Sequence, residues 1–385
     1  MPNDKELLLP LPPYRPVPES AQRIMRTQLA VLILPAAAGA IFFGYHALKL
    51  MILAAAAAGL AEGICKRVIF SKVSGSMPHS LAMGLLLAFM LPVSCPWYVP
   101  VVGAVAAVVF AKHLFGGLGY YIWHPALAGR LIVQILFGDW FYAPHGPLLG
   151  RNHILTGNIN AVPENRIAWF QIDWFSSLPE DGFDGFLLLQ PEETLRRFWE
   201  MEFVDSVAQI GQYILDRLPS LEHCLVGAVP GGVGQTCSVA LILVGLFLIY
   251  RGYLSWQLPA TFIAGAYLGA MLLPIGIVTS EPSSNIFLWP IIDGGLAAGF
   301  TYLNYHLFSG ALLLGALVLT SDMTSRPITV RGQMIFGAGA GLLTTVFRLY
   351  SDISIPCCAA ILLMNSLVPA IDRLTRPRGR GEMDK

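Results

Sequence analysis

The sequence predicts an all-α integral membrane protein: about ten transmembrane helices, some of them broken, in two inverted five-helix repeats separated by a soluble extracytoplasmic insert. Three observations carry this prediction. Of 385 residues, 55% are hydrophobic and only 12% are charged, about half the ~25% charged residues that a water-soluble domain carries. The apolar residues fall in long uncharged blocks, the pattern that a hydrocarbon environment imposes. Lys and Arg gather in alternate loops, as they do on the cytoplasmic side of a bilayer.

A full span needs about 20 residues. Segments near 28–44, 47–65, 79–93, 97–114 and 122–138 make the first five spans, and 229–249, 257–276, 305–321, 332–349 and 354–371 the second five. The third is short, ending at Pro92, and the fifth is entered through Gly116-Gly117-Leu118-Gly119 and interrupted by Pro125. Short or Gly/Pro-interrupted segments at comparable places in two halves mark broken helices around a midplane site. Residues 286–303 are apolar too, but Asp293 and Gly294-Gly295 in their middle make them a re-entrant or interfacial stretch.

Orientation follows the basic residues. Lys5, Arg15, Arg23 and Arg26 precede the first span, and Lys66, Arg67 and Lys72 follow the second. Arg251 follows the sixth, Arg326 and Arg331 the eighth, and Arg373, Arg376, Arg378 and Arg380 the last. Ten spans put all of them on one side, with both termini cytoplasmic. The chain then divides into a cytoplasmic segment 1–26, a first membrane repeat 27–138, an insert 139–228, a second repeat 229–372 and a basic tail 373–385. The polar, proline-rich start shows no hydrophobic region of a cleavable signal peptide.

The insert is acidic. Residues 138–204 hold ten Asp and Glu against four Arg, which suits the outer side. Pro191-Glu192-Glu193 predicts a helix start there, with the helix running near 191–217. The six cysteines lack paired spacing and sit mostly in apolar segments, so they read as small buried hydrophobes. A net charge of zero gives no argument for nucleic acid or an acidic substrate.

Ionisable residues inside spans are costly and mark function. The clearest here are Glu62, Lys112, His113, His124, Arg130, His306 and Arg348. Glu62 sits near a span end, where reaching the interface is an alternative to function. Arg130 needs a partner, either a carbonyl at a broken helix end or a ligand phosphate. The turns Gly116-Gly117-Leu118-Gly119 and Pro230-Gly231-Gly232-Val233-Gly234-Gln235-Thr236 each precede an apolar segment. Their N–H groups are placed to face an anion, although glycines in membrane helices also serve packing. No P-loop, HExxH or dinucleotide fingerprint is present.

Four stretches resemble the RnfD/NqrB family, the membrane subunits of ion-pumping ferredoxin:NAD and NADH:quinone oxidoreductase complexes. Arg23-Ile24-Met25, with a following span that reaches Pro35-Ala36, resembles the family's N-terminal RKIM…LLPA. Lys112 to Gly119 followed by His124-Pro125-Ala126-Leu127 is similar to KxLFGGLGxNxFNPA, with His124 where the family has Asn. Pro230 to Ser238 is similar to PGSxGETS, with Gln235 in place of Glu. Leu307-Phe308-Ser309-Gly310, Thr320-Ser321-Asp322, Leu362 to Asn365 and Pro369 to Arg373 follow the C-terminal pattern.

The resemblance implies ten spans in inverted halves and electron transfer coupled to Na⁺ or H⁺ movement. It also implies an FMN phosphate esterified to the last threonine of a Ser/Thr-Gly-Ala-Thr motif on the outer side. In this chain the nearest match, Thr156-Gly157-Asn158-Ile159, places Ile159 at that threonine, and isoleucine forms no phosphoester. Three outcomes stay open: non-covalent FMN, loss of that flavin, or another hydroxyl such as Thr156 or Thr194. The implied cofactor-binding residues are Thr156, Gly157, Gly116, Gly117, Gly119, Arg130, Gly231, Gly232, Gly234, Gln235 and Thr236, with Glu62, Lys112 and Asp322 as ion-pathway candidates. The implied partners are iron–sulfur and other membrane subunits, in a bacterial inner membrane. A stand-alone solute channel or transporter, or a cofactor-free scaffold subunit, fits the same plan of spans.

Overall fold

A computed structural model describes residues 20–69, 76–93, 95–138, 221–227, 229, 231–278, 285–293, 295–351 and 353–376. The expected helix near 191–217 and Thr156, Gly157, Ile159 and Thr194 lie outside the described residues.

Ser20 caps the first helix, α1 (Ala21–Val31), accepting from the Arg23 N–H at 3.3 Å. α2 (Ile33–Ile64) is mostly apolar and would be ~48 Å long if straight, well beyond the ~30 Å hydrocarbon core. Gly44 breaks it, with φ 70 and ψ −154, between the first two expected spans. α3 (Met77–Phe89) has Pro78 in its first turn, where the missing N–H costs nothing, and stops before Pro92. α4 (Tyr98–Ala106) widens into π turns over Ala107–His113. α5 (Pro125–Leu136) starts on Pro125, so that proline opens a helix rather than interrupting one.

α6 (Leu221–Val226) lies at the end of the expected insert, and α7 (Ser238–Tyr250) and α8 (Gln257–Leu272) follow it. A two-stranded antiparallel hairpin follows, β1 (Ile275–Val278) and β2 (Asn285–Leu288), in the register Ile275↔Leu288 to Val278↔Asn285. The chain is therefore helical but not purely so, since an all-α pattern does not anticipate this hairpin. α9 (Pro290–Asp293), α10 (Gly295–Phe308) and α11 (Leu312–Leu317) come next. Residues 295–303, the second half of the stretch expected as re-entrant or interfacial, belong to Gly295–Phe308, the first arm of a helix pair bent by 61°. Gly310, at φ 65, lies at the break. α12 (Val330–Tyr350) is capped by Thr329, which accepts from the Gly332 N–H at 3.0 Å, and α13 (Pro356–Thr375) closes the described fold.

Among the described residues two helical runs, Ala21–Arg67 and Pro356–Thr375, are long and apolar enough to cross a membrane, and the bent pair Gly295–Phe308 with Leu312–Ser321 passes as one span. Five more apolar helices are shorter. Large apolar side chains such as Leu60, Ile135, Tyr250 and Leu296 are two-thirds or more exposed, a surface suited to lipid rather than water.

Residues from before and after the insert share one core, including Phe42, Leu87, Phe89, Val233, Leu241, Phe262, Leu314 and Phe336. α8 and α12 meet backbone to backbone. A Cβ built on Gly265 would lie 2.3 Å from the Ala338 carbonyl oxygen, and one on Gly341 only 2.0 Å from that of Phe262. Gly265/Gly269 and Gly337/Gly341 are each spaced four apart, the small-residue spacing by which helices approach closely in lipid, where apolar burial offers no preference for helix over acyl chain. All six cysteines are free, and all but the half-buried Cys237 are buried.

Candidate functional site

The helices bring a buried charge cluster together at the start of α3. Glu62 in the last turn of α2, Ser80 in the first turns of α3, and Lys112 and His113 at the end of the π turns are each no more than 1% exposed. Glu62 Oε2 accepts from Lys112 Nζ at 2.9 Å and from Ser80 Oγ at 2.8 Å, and His113 Nε2 lies 2.8 Å away. Lys112 Nζ also donates to Ser80 Oγ at 2.7 Å. Consecutive residues of an α-helix point roughly 100° apart. The wider π turn, closed by the Leu114 N–H on the Val109 carbonyl at 3.0 Å, lets Lys112 and His113 both reach one carboxylate. Glu62 therefore does not snorkel to an interface. Its charge is compensated internally, the condition for keeping an ion in a low-dielectric interior.

Gly116 and Gly117 close the end of this helix. Their N–H groups donate to the carbonyls of His113 at 3.1 Å and Lys112 at 3.0 Å, at φ 112 and 86. The expected anion-facing role is corrected for these two, because both donors are spent on the helix end in a left-handed cap that only glycine adopts freely. Gly119 shares the positive φ, at 91.

A second polar chain starts one residue from Ser80 and crosses to the C-terminal part of the molecule. His79 Nε2 is 3.0 Å from the Tyr121 hydroxyl, which donates to Asp322 Oδ1 at 2.9 Å, and Ser325 Oγ donates to Asp322 Oδ2 at 3.0 Å. Tyr121 has one proton and gives it to the carboxylate, so it accepts from His79, which fixes the tautomer with hydrogen on Nε2. The Asn365 amide, oriented to satisfy its neighbours, donates to the carbonyls of Ser325 at 3.0 Å and Ile361 at 3.2 Å and accepts from the His124 N–H at 3.2 Å. Asp322, an expected ion-pathway residue, is 9% exposed. Tyr121→Phe removes the link from both neighbours and leaves the His79 and Asp322 atoms unsatisfied. It is expected to lower stability by about 1–3 kcal/mol in thermal unfolding of the detergent-solubilised chain.

The other end of α3 is where the second glycine turn sits. The N–H groups of Val233 and Gly234 donate to the carbonyls of Leu91 at 3.1 Å and Phe89 at 3.2 Å, with Pro92 and Gly232 paired as an antiparallel bridge. A Cβ on Gly232 would meet the Phe89 oxygen at 2.5 Å, and one on Gly234 the Phe89 ring at 2.2 Å. Gly232 admits one backbone to another and Gly234 admits the Phe89 ring, and the expected anion-facing role is corrected for Gly234, whose N–H satisfies a carbonyl freed where α3 stops. Gly231 fits the same packing, with Thr236 Cγ2 2.7 Å from where a Cβ would sit. The side-chain capacity of this turn remains open, because Gln235 Oε1 and Thr236 Oγ1 are buried without a partner among the described residues.

Arg130 caps the same helix end. Its Nε donates to the Met90 carbonyl at 3.2 Å, and its other nitrogens donate to Gln134 at 3.3 Å and Ser354 at 2.9 Å. Of the two expected partners, the broken-helix carbonyl is the one the structure supplies. Arg348 plays a similar part at the α10 break, donating to the carbonyls of His306 at 2.6 Å and Ser309 at 3.2 Å.

Sequence reasoning found Glu62, Lys112, His113 and Asp322 and missed His79, which sits at the very start of an expected span, together with the neutral partners. Ser80, Tyr121, Ser325 and Asn365 carry no charge, so the cost that flags an intramembrane ion does not flag them. Asn365 had one signal, its place in the C-terminal pattern. Among the described residues no group of three His, Cys, Asp or Glu side chains forms a metal site.

Comparison with known proteins extends this picture. Residues 11–381 match the model of the NQR2, RnfD, RnfE family. The chain is 30% identical over 361 residues to the D subunit of the proton-translocating ferredoxin:NAD(+) oxidoreductase complex of Clostridium ljungdahlii, covering 93% of this chain and 91% of the relative. It is 31% identical over 366 residues to the D subunit of the ion-translocating oxidoreductase complex of Stutzerimonas stutzeri, covering 94% and 92%. It is 27% identical over 379 residues to the D subunit of the Na(+)-translocating ferredoxin:NAD(+) oxidoreductase complex of Acetobacterium woodii, covering 98% and 96%.

Proposed function

Because the chain belongs to the NQR2, RnfD, RnfE family, we propose that it is the D-type membrane component of an ion-translocating ferredoxin:NAD⁺ oxidoreductase complex. The observation that carries this reading is the near full-length likeness to the D components of complexes that translocate protons or Na⁺, joined to a buried ionic cluster inside an apolar helical body. In this reading the chain has ten spans in two inverted halves within the bacterial cytoplasmic membrane. Both termini are cytoplasmic and the acidic insert faces outward. Iron–sulfur and other membrane subunits of the complex deliver and remove electrons.

The side chains of Glu62, Lys112 and Asp322 then lie toward the cytoplasmic ends of their helices, linked to neighbours by Ser80, His79 and Tyr121. Their role is to bind and pass a cation or proton at the inner side. Glu62 Oε2 holds the Lys112 ammonium, and its Oε1 is buried without a partner among the described residues, so the carboxylate keeps an acceptor available. A flavin supplies one-electron redox chemistry when bound. The side chains that suit it are Gln235 and Thr236, whose oxygens are unspent, whereas the Val233 and Gly234 N–H groups beside them are committed to α3 carbonyls. Ile159 excludes a phosphoester at its own position, and of the three outcomes this leaves, the proposed one is FMN held without a covalent bond.

Two measurements test the proposal. Membrane vesicles that hold the complex should couple ferredoxin-dependent NAD⁺ reduction to ion uptake, and both should be lost when this chain is deleted. Reduction and uptake that persist without it would overturn the reading. Purified chain denatured in acid is expected to release its flavin to the supernatant. Flavin absorbance that stays with the precipitated protein would overturn the non-covalent assignment alone.

A further inference from the structure

A cavity of about 20 Å³ lies where the N-terminal helices meet α7 and the end of α11. That is room for about one water molecule. Its polar wall is Gln28, His124, Ser321 and Asp322, and the rest is apolar, with Leu86 and Val244 among the lining residues. His124 is 1% exposed, and neither of its ring nitrogens has a partner among the described residues. Its backbone is fully engaged: the N–H goes to Asn365, the carbonyl accepts from the Ala128 N–H at 3.0 Å, and Pro125 fixes the start of α5 behind it. The ring is therefore held in place at the cavity wall while its own hydrogen-bonding capacity is unspent. A neutral imidazole buried in this way forfeits its hydrogen bonds to water. A protonated one facing a carboxylate across a water-sized gap recovers them.

We propose that His124 is a proton-binding residue, its imidazolium paired with Asp322 across this cavity. The proton comes from solvent water and sits on a ring nitrogen, and no electron moves. Asp322 already accepts from Tyr121 and Ser325, one on each oxygen, and each carboxylate oxygen has a further lone pair to offer. His124 thereby extends the His79–Tyr121–Asp322 chain by one titratable group. The titratable and charged groups that interact with it are Asp322 and, on α3, His79, and Asp322 in turn interacts with Tyr121 and Arg326. α1 contributes the neutral Gln28, α7 contributes Val244 and Leu248, and α13 contributes the Asn365 amide. The family pattern has Asn where His124 stands, and an amide cannot take up a proton at these pH values. The proposal thus concerns a property particular to this chain.

The test is solid-state nitrogen NMR of the full-length chain, labelled at histidine and reconstituted in lipid, over a pH series spanning the usual histidine range near 6.5. His124→Asn should delete one titrating imidazole, which assigns the signal. Asp322→Asn should lower the midpoint of that signal by about one pH unit or more, a tenfold loss in proton affinity, because an opposite charge nearby favours the charged form. Asp322→Glu keeps the carboxylate and should retain the titration, which covers the case in which the amide variant fails to fold. The proposal is overturned if no titrating signal disappears in His124→Asn. It is overturned equally if the midpoint is unmoved in Asp322→Asn, or if the titration is lost in Asp322→Glu. The measurement needs no electron donor, so its failure leaves the redox reading untouched.

Discussion

Glu62→Leu is expected to destabilise the protein by about 3–5 kcal/mol, the cost of leaving a buried charge without its counter-ion. The substitution strands the Lys112 ammonium, which is fully buried and donates to Glu62 and Ser80 only 2.9 and 2.7 Å away. Lys112→Met should cost a similar amount by exposing the carboxylate to the same environment. The double variant Glu62→Leu/Lys112→Met should recover much of the loss, since removing both ions also removes the desolvation that each one suffers. Thermal unfolding in detergent reads the comparison. If the double variant is as unstable as the sum of the single ones, the two side chains do not compensate each other. The same double variant separates stability from function: in the proposed role it folds and assembles while ion uptake into vesicles is lost.

Gly341→Leu is expected to prevent α8 and α12 from packing, with loss of monodisperse protein on size exclusion. Even a methyl group at Gly341 would sit 2.0 Å from the Phe262 carbonyl oxygen and 2.8 Å from the Ala266 nitrogen, and both of those are backbone atoms that cannot swing away. Overpacking usually costs about 1–3 kcal/mol where side chains can yield, and more where they cannot. In lipid the separated helices have no hydrophobic penalty to draw them back together. Gly63→Ala is the control. It sits in α2 with its nearest contact at 3.9 Å, the end of the Met77 side chain, so it should be tolerated or slightly stabilising through the better helix propensity of alanine. Equal tolerance at Gly341 would show that the two helices do not meet as closely as described.

Much of the helical layout was legible because hydrocarbon imposes a one-dimensional constraint: every backbone polar group must be satisfied within its segment, so long apolar runs become helices. The break near residue 44 and the halt of the third segment before Pro92 follow from local chemistry of glycine and proline, whereas Pro125, read as an interruption, opens a helix. The bend at Gly310 is different. The stretch from 286 was ambiguous because Asp293 and its neighbouring glycines interrupt an otherwise apolar pattern, and only contacts with α6 and α8 decide that 295–308 is helical while 285–288 pairs as a strand.

The sequence by itself determined that this chain is a membrane protein of the NQR2, RnfD, RnfE type. It also determined which ions must be reckoned with, because the cost of a charge in an apolar segment can be read from the segment alone. What those ions are paired with was decided only by the tertiary structure. Glu62 meets Lys112 across 50 residues, and Tyr121 meets Asp322 across 201. The glycine turns show the same division. Their composition announced a close approach, but whether a ligand or a backbone makes that approach depends on what the fold brings to 2–3 Å. For Gly232 and Gly234 it is the end of α3. Hydrogen bonds and ion pairs act over a few ångströms, and no spacing along a chain fixes which distant residue will fill that distance.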